Sequence, residues 1–325
     1  MYDFDYNRID QAFKRISSKI LKTPLITSEY INHLLGAKVY FKLENLQWTG
    51  SFKLRGATNK IMQLNLDQKQ KGVVAYSSGN HAQAVAYASK YNGIRAKIIM
   101  PENAPKIKIN NTKKYGAEVI LYNPLNQNRE EIGEKIANDE NRTLIKPYDD
   151  LDIIAGQGTS AKEIAEDLIK LNISPDIYLC CCGGGGLIAG TSTYLKYKFP
   201  NIKCYSVEPT NFDDTKLSLE KDNIQPVTKN LNSICDALLA KQPGEITFSI
   251  NRKILEKGLV VSDEEVKNSI IQLAENLKLV IEPGGAVAAT ALLNKKIETI
   301  NKTIVVMISG GNIDNEVFSK IVNEF

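Results

Sequence analysis

Val73-Val74-Ala75-Tyr76-Ser77-Ser78-Gly79-Asn80-His81 is an apolar run that breaks into a small polar turn. A helical pattern follows over 80–90, and Ala96-Lys97-Ile98-Ile99-Met100 then resumes an apolar strand. A helical pattern over 106–115, the strand Glu118-Val119-Ile120-Leu121, a helix over 129–139 and the run Leu144-Ile145-Lys146-Pro147 continue the alternation. Strand–helix–strand order of this kind builds a parallel sheet through right-handed crossovers.

The same grammar restarts further on. Ile177-Tyr178-Leu179-Cys180 reads as a strand, 187–197 as a helix and 202–207 as a strand. Ser262 with Glu265 forms a capping box that opens an amphipathic helix to about Leu279. Thr303-Ile304-Val305-Val306-Met307-Ile308 is apolar throughout, as a strand covered on both faces requires. The fold class is therefore α/β, with two lobes, each a mostly parallel sheet flanked by helices. The expected small domain is 67–146, and 1–66 with 147–325 forms the large one.

Composition narrows the function. Hydrophobic residues at 43% and charged residues at 24% of 325 are ordinary globular values. A net charge of +4 with scattered lysines gives no nucleic-acid or acidic-membrane footprint, and no apolar run is long enough to span a bilayer. The N-terminal Met1-Tyr2-Asp3-Phe4-Asp5 has no apolar signal region, and the five cysteines form no C-x-x-C pair. Three of them, Cys180-Cys181-Cys182, end a strand and read as reduced, buried packing, so a cytoplasmic location is expected. With two histidines, His33 and His81, a histidine-rich zinc site is excluded.

Five segments carry chemistry. In Thr49-Gly50-Ser51-Phe52-Lys53-Leu54-Arg55, a lysine leaves a small-residue turn and enters a helix expected over 54–66. Such a lysine, once deprotonated, can form an imine with an aldehyde, although a surface lysine on a first helical turn has the same local pattern. Gly183-Gly184-Gly185-Gly186 between strand and helix offers consecutive N–H groups and a helix dipole, an anion cradle sized for a phosphate. Gly184-x-Gly186-x-x-Ala189 with Glu208 at a later strand end also satisfies a dinucleotide fingerprint, and a bare tight turn is the third reading. Ser77-Ser78-Gly79-Asn80-His81 suits a carboxylate at a helix start, or is a capped helix alone. Ser309-Gly310-Gly311-Asn312 can direct a serine at a ligand lying across the strand ends, and Glu208 with Asp214 can share a hard cation or simply border a charged loop.

Together these segments, with Ala155-Gly156-Gln157-Gly158-Thr159, resemble the fold-type II pyridoxal-phosphate enzymes (tryptophan synthase β-like), specifically the serine/threonine dehydratase and serine racemase family. The resemblance spans almost the whole chain in family order. It implies pyridoxal 5'-phosphate held by Lys53 as an imine beside Phe52, with Gly183, Gly184, Gly185 and Gly186 on the phosphate. Asn80 would meet the ring hydroxyl and Ser309 the ring nitrogen. Ser77, Ser78, Asn80 and His81 would cradle the carboxylate of a small amino-acid substrate, with Arg129 at its distal end. Lys53 and Ser78 would move protons on opposite faces. The implied activity is dehydration and deamination of L-serine or L-threonine, with serine racemase or 3-hydroxyaspartate dehydratase as alternatives. A divalent cation on Glu208, the Phe212 carbonyl and Asp214, and a homodimer, are implied likewise. Trp48 stands where many relatives have a basic or polar residue, in a neighbourhood that helps the racemases bind an activating nucleotide, so nucleotide activation is not expected. With a short tail after Asn312, the regulatory domain of biosynthetic threonine deaminases, and feedback inhibition by isoleucine, are not expected.

Overall fold

Two sheets organise the protein, whose computed structural model describes residues 3–227 and 232–323. The strands are β1 (Leu25–Ile26), β2 (Lys38–Leu43), β3 (Val73–Tyr76), β4 (Ala96–Pro101), β5 (Glu118–Tyr122), β6 (Thr143–Leu144), β7 (Ile177–Cys181), β8 (Lys203–Pro209), β9 (Leu255–Val261) and β10 (Thr303–Ile308). The larger sheet runs β1-β2-β10-β7-β8-β9 and the smaller β5-β4-β3-β6. Every pairing between these strands is parallel except β1 against β2.

The apolar β10 lies between β2 and β7, with Ile304 through Ile308 buried. A strand covered on both faces needs this continuous hydrophobic run. The helix Pro283–Leu293, rich in alanine, lets a second layer approach β7 and β10 closely. A second core joins Leu54, Ala57 and Ile61 to Val73, Ala75, Val85 and Ile98, so the helix that starts at Lys53 packs against the smaller sheet's helices.

Three element ends differ from the sequence reading, each for a local reason. The helix after the lysine spans Lys53–Met62, because Asn65 and Gln68 form a capping box that starts a new helix, Leu66–Lys71. The Ser262–Glu265 box is present, but its helix stops at Leu277, where Lys278 takes a left-handed φ of 57°. The strand near 144 shrinks to two residues, Thr143–Leu144. Beyond it, Pro147 has no N–H for a ladder, and the Ile145 and Pro147 carbonyls accept from His81 and Lys53 instead.

A buried ion cluster ties these parts together. Arg55, fully buried, makes a two-bond fork to Glu44 at 2.7 and 2.8 Å, and Nη1 and Nη2 each reach Glu163 at 2.8 Å. Lys42 Nζ donates to Glu163 at 2.6 Å and to the Thr23 carbonyl at 2.7 Å. Two cations and two carboxylates balance. Burial opposes the Arg55 charge, but Glu44 and Glu163 outweigh it and hold the pKa above its ordinary value. Removing one member leaves an uncompensated buried charge. Glu163→Ala is therefore expected to cost ~3–5 kcal/mol in chemical denaturation; a loss below ~1 kcal/mol would mean that the cluster is not desolvated.

Candidate active site

Carboxyl ends of parallel strands gather helix N-termini, and both sheets present theirs to one cavity of about 320 Å³. It is lined by Phe52, Lys53, Ser77, Ser78, Asn80, His81, Arg129, the four glycines Gly183 to Gly186, and Ser309. Residues more than 250 positions apart in sequence are thus brought together.

The lysine turn is stitched to the loop after β10. Phe52 N–H donates to the Ser309 carbonyl at 3.1 Å, Gly311 N–H to the Gly50 carbonyl at 2.9 Å, and Asn312 Nδ2 to the Thr49 carbonyl at 2.9 Å. Gly50 has φ 70°, and a Cβ there would sit 2.4 Å from Asn312 Oδ1. The turn thereby aims Lys53 into the cavity, where Nζ donates to the Pro147 carbonyl at 2.7 Å. Burial lowers the Lys53 pKa to about 8, with Cys181 pulling slightly the other way. A substantial neutral fraction near pH 8 is what an imine-forming amine needs.

Across from it, the glycine loop leads from β7 into the helix Gly186–Lys198. Thr247 Oγ1 donates to the Gly184 carbonyl at 2.7 Å and Asn251 Nδ2 to the Gly185 carbonyl at 3.3 Å. With these carbonyls engaged from outside, the loop's N–H groups are left for an anion, and the helix dipole adds to them. Gly185 has φ 90°, and a Cβ on Gly184 would lie 2.4 Å from the Tyr148 ring.

The second helix N-terminus belongs to Asn80–Tyr91. Asn80 is held from both ends: Nδ2 donates to Glu282 Oε1 at 2.5 Å and Oδ1 accepts from Asn312 Nδ2 at 2.9 Å. Ser77 Oγ accepts from Gly79 N–H at 3.1 Å. His81 Nε2 lies 3.0 Å from the Ile145 carbonyl. Burial, then the nearby Lys53 charge, pushes its pKa down to about 3, so the imidazole is neutral at ordinary pH and does not act as a base there. Arg129 lies over the Tyr76 ring at 5.7 Å and bonds Glu130 at 2.9 Å.

Several residues of the site carried little or no signal in the sequence. Lys108, almost fully buried, reaches from the smaller sheet's side to Asp236 at 2.7 Å and Glu282 at 3.0 Å. Tyr148 packs beneath the glycine loop, and its phenol is pushed up to about 12 by burial against the opposing effect of Arg129. Glu282 precedes Pro283 and Gly284 at a helix start, which was its one legible cue.

Glu208, Phe212 and Asp214 do not line the cavity; Glu208 and Asp214 are buried near Cys182. Both Glu208 oxygens accept backbone N–H groups at 2.8 Å, from Thr215 and Lys216. Both Asp214 oxygens are buried without a hydrogen-bond partner. Burial pushes Asp214 up to about 8, and burial with Asp214 drives Glu208 well above its usual range. Among the described residues no group of three or more His, Cys, Asp or Glu side chains is arranged for a metal. A cation here would need two carboxylates plus carbonyl or water oxygens.

The model of the family described as "Pyridoxal-phosphate dependent enzyme" matches residues 16–310. The chain is 39% identical to L-threo-3-hydroxyaspartate ammonia-lyase of Saccharomyces cerevisiae, over 98% of this chain and 96% of the relative. It is 40% identical to serine racemase of Schizosaccharomyces pombe, over 98% and 97%. The crystal structure of a threonine deaminase from T.th. superposes with a TM-score of 0.90 at 37% identity, covering 95% of this chain and 99% of that one. A lysine made partly neutral by burial, facing an amide-lined anion loop in this fold, accords with these likenesses: the chain belongs to the fold-type II pyridoxal-phosphate dependent enzymes, among the ammonia-lyases and racemases.

Proposed function

We propose that the protein eliminates water from a β-hydroxy amino acid, L-serine or L-threonine, releasing a 2-keto acid and ammonia. The observation that carries this is Lys53, whose pKa of about 8 leaves it a usable base in the same cavity as the Gly183 to Gly186 anion loop. Bound pyridoxal phosphate supplies an electron sink for the substrate α-carbon. The loop N–H groups would take its phosphate, Asn80, fixed by Glu282 and Asn312, its ring hydroxyl, and Ser309 its ring nitrogen. The helix start at 77–81 would receive the substrate carboxylate, and Lys53 Nζ would accept the α-proton. Neutral His81 adds no charge to this step.

Racemisation beside elimination is supported by Ser78, a hydroxyl on the cavity wall that would carry a proton on the face opposite Lys53. A substrate with a second carboxylate, such as 3-hydroxyaspartate, is supported by Arg129 on the same wall. We further propose a divalent cation on Glu208, Asp214 and the Phe212 carbonyl, supported by the two unpartnered Asp214 oxygens. Exposed Leu46, Trp48, Tyr91 and Val280 around the lysine turn support a homodimer, and the two-sheet topology supports lobes of 67–146 and of 1–66 with 147–325. No helix of the described residues is long and apolar enough to cross a membrane, and five unpaired cysteines support a cytoplasmic setting.

Lys53→Ala is expected to lose the yellow absorbance at roughly 410 nm and keto-acid release together; retained absorbance defeats the assignment. Because the neutral amine is the attacking form, the rate of cofactor attachment to cofactor-free protein should rise with pH and level off above about 8. A flat profile over pH 6–9, followed by stopped flow, would contradict the buried-amine argument. Ser78→Ala is expected to cut D-serine formation by roughly 10²-fold or more while keto-acid release falls less, as chiral chromatography would read. For the cation, chelator should lower the melting temperature of the native protein. Asp214→Asn, which relieves the carboxyl pair, should be insensitive to chelator; an equal loss in both proteins rejects the site.

A further inference from the structure

Cys180-Cys181-Cys182 runs from the end of β7 into the candidate site, and no step above uses it. The three thiols have different surroundings. Cys180 Sγ lies within the sheet, 3.4 Å from the Cys181 carbonyl. Cys182 borders the cavity, but its Sγ is 3.2 Å from Thr215 Oγ1, turned toward the Glu208–Asp214 pair. Cys181 lines the cavity with Lys53 and Ser309, and Glu282, buried beside it, also acts on its thiol.

Charge separates them further. Burial pushes the Cys180, Cys182, Cys204 and Cys235 thiols up. Cys181 goes the other way: Cys180 contributes most, Ser309 adds and the Lys53 ammonium adds least, against burial and the nearby Glu282 carboxylate. A thiol near a cation is more often thiolate, and thiolate is the reactive form. Cys181 and Cys182 both line the cavity, but the Cys182 sulfur is engaged by Thr215 Oγ1 and the Cys180 sulfur by a backbone carbonyl, which leaves Cys181 as the thiol that a small molecule entering the cavity would meet.

We propose that Cys181 is a thiol-modification site of the cofactor-free enzyme, open to small soft electrophiles and hydroperoxides, and that its modification blocks cofactor loading. The proposal rests on reading the cavity as the pyridoxal-phosphate site. With a hydroperoxide, the thiol proton goes to solvent and the sulfur attacks one peroxide oxygen. The O–O bond breaks, the sulfur is oxidised by two electrons to a sulfenic acid, and the other oxygen leaves as hydroxide, or alkoxide from an organic peroxide, and is protonated by water. The added group occupies the wall between Lys53 and Ser309. Cofactor on Lys53 closes the site in turn, by filling the cavity and removing the ammonium that favours the thiolate.

The test treats cofactor-free full-length protein with iodoacetamide under native conditions, with and without prior loading of pyridoxal phosphate, and maps adducts by peptide mass. The expected result is one adduct, at Cys181, slowed about tenfold or more by loading. Alkylated protein should then fail to regain absorbance at roughly 410 nm, whereas Cys181→Ser, treated alike, regains the level of its own untreated sample. Hydrogen peroxide should give the same block, reversed by dithiothreitol. First labelling at another cysteine, labelling only after unfolding, equal rates with and without cofactor, or unimpaired loading of the alkylated protein would each overturn the proposal. If untreated protein never gains the absorbance, the cofactor reading fails and the loading block falls with it. The adduct map of the cofactor-free protein still decides whether Cys181 is the reachable thiol.

Discussion

The buried fork of Arg55 on Glu44 and Glu163 is the constraint on which the geometry of the site depends. Arg55 lies two residues beyond Lys53 on one helix. Successive positions two apart point to nearly opposite sides of a helix, so fixing the guanidinium at depth fixes the direction in which the amine emerges. Glu44 follows β2 and Glu163 lies on the long helix Leu151–Lys170, which brings three separate segments to one point. Desolvating four charges is costly, and the cluster is tolerable because every charge has a partner at hydrogen-bond distance.

The second constraint spans the two sheets. Lys108 enters from the helix Lys106–Lys114, beside the smaller sheet, and meets Asp236 and Glu282 from the other side of the cavity. The same helix begins with Lys106 and Ile107 N–H groups on Asp314. Three carboxylates from one part of the chain therefore hold one helix of the other, and the cavity lies beside that contact. Glu282 also holds Asn80, so a side chain of the cavity wall is tied to the contact that joins the sheets.

The parts of the fold that were legible follow from short-range rules. The strand–helix alternation over 73–144 and the apolar β10 gave parallel pairing correctly, because buried parallel strands demand continuous hydrophobic runs. The Ser262–Glu265 box was legible because capping needs two residues three apart and nothing else. Less visible were β1, β2 and β9. Polar Lys38 and Lys42 interrupt β2, and Lys42 is buried only because Glu163, far along the chain, receives it. In the site, the glycine loop and the lysine turn announced themselves by composition. Lys108, Asp236 and Tyr148 did not, since a lone lysine, aspartate or tyrosine in sequence looks the same whether it faces solvent or a cavity.

The sequence by itself determined the α/β class, the family and the placing of a lysine on a small-residue turn, because turn glycines, periodicity and ordered motifs are local and carry their physics with them. Only the tertiary structure decided that His81 is a neutral, backbone-bonded ring, that Asp214 keeps two unpartnered oxygens, and that Cys181 lines the cavity while the sulfurs of Cys180 and Cys182 are engaged elsewhere. Alternation along a strand states that neighbours point to opposite faces, not which face holds the ligand. Protonation and reactivity are set by desolvation and by charges brought close through folding, and Lys53 lies next to Cys181 and Ser309 only after β7 and β10 have paired.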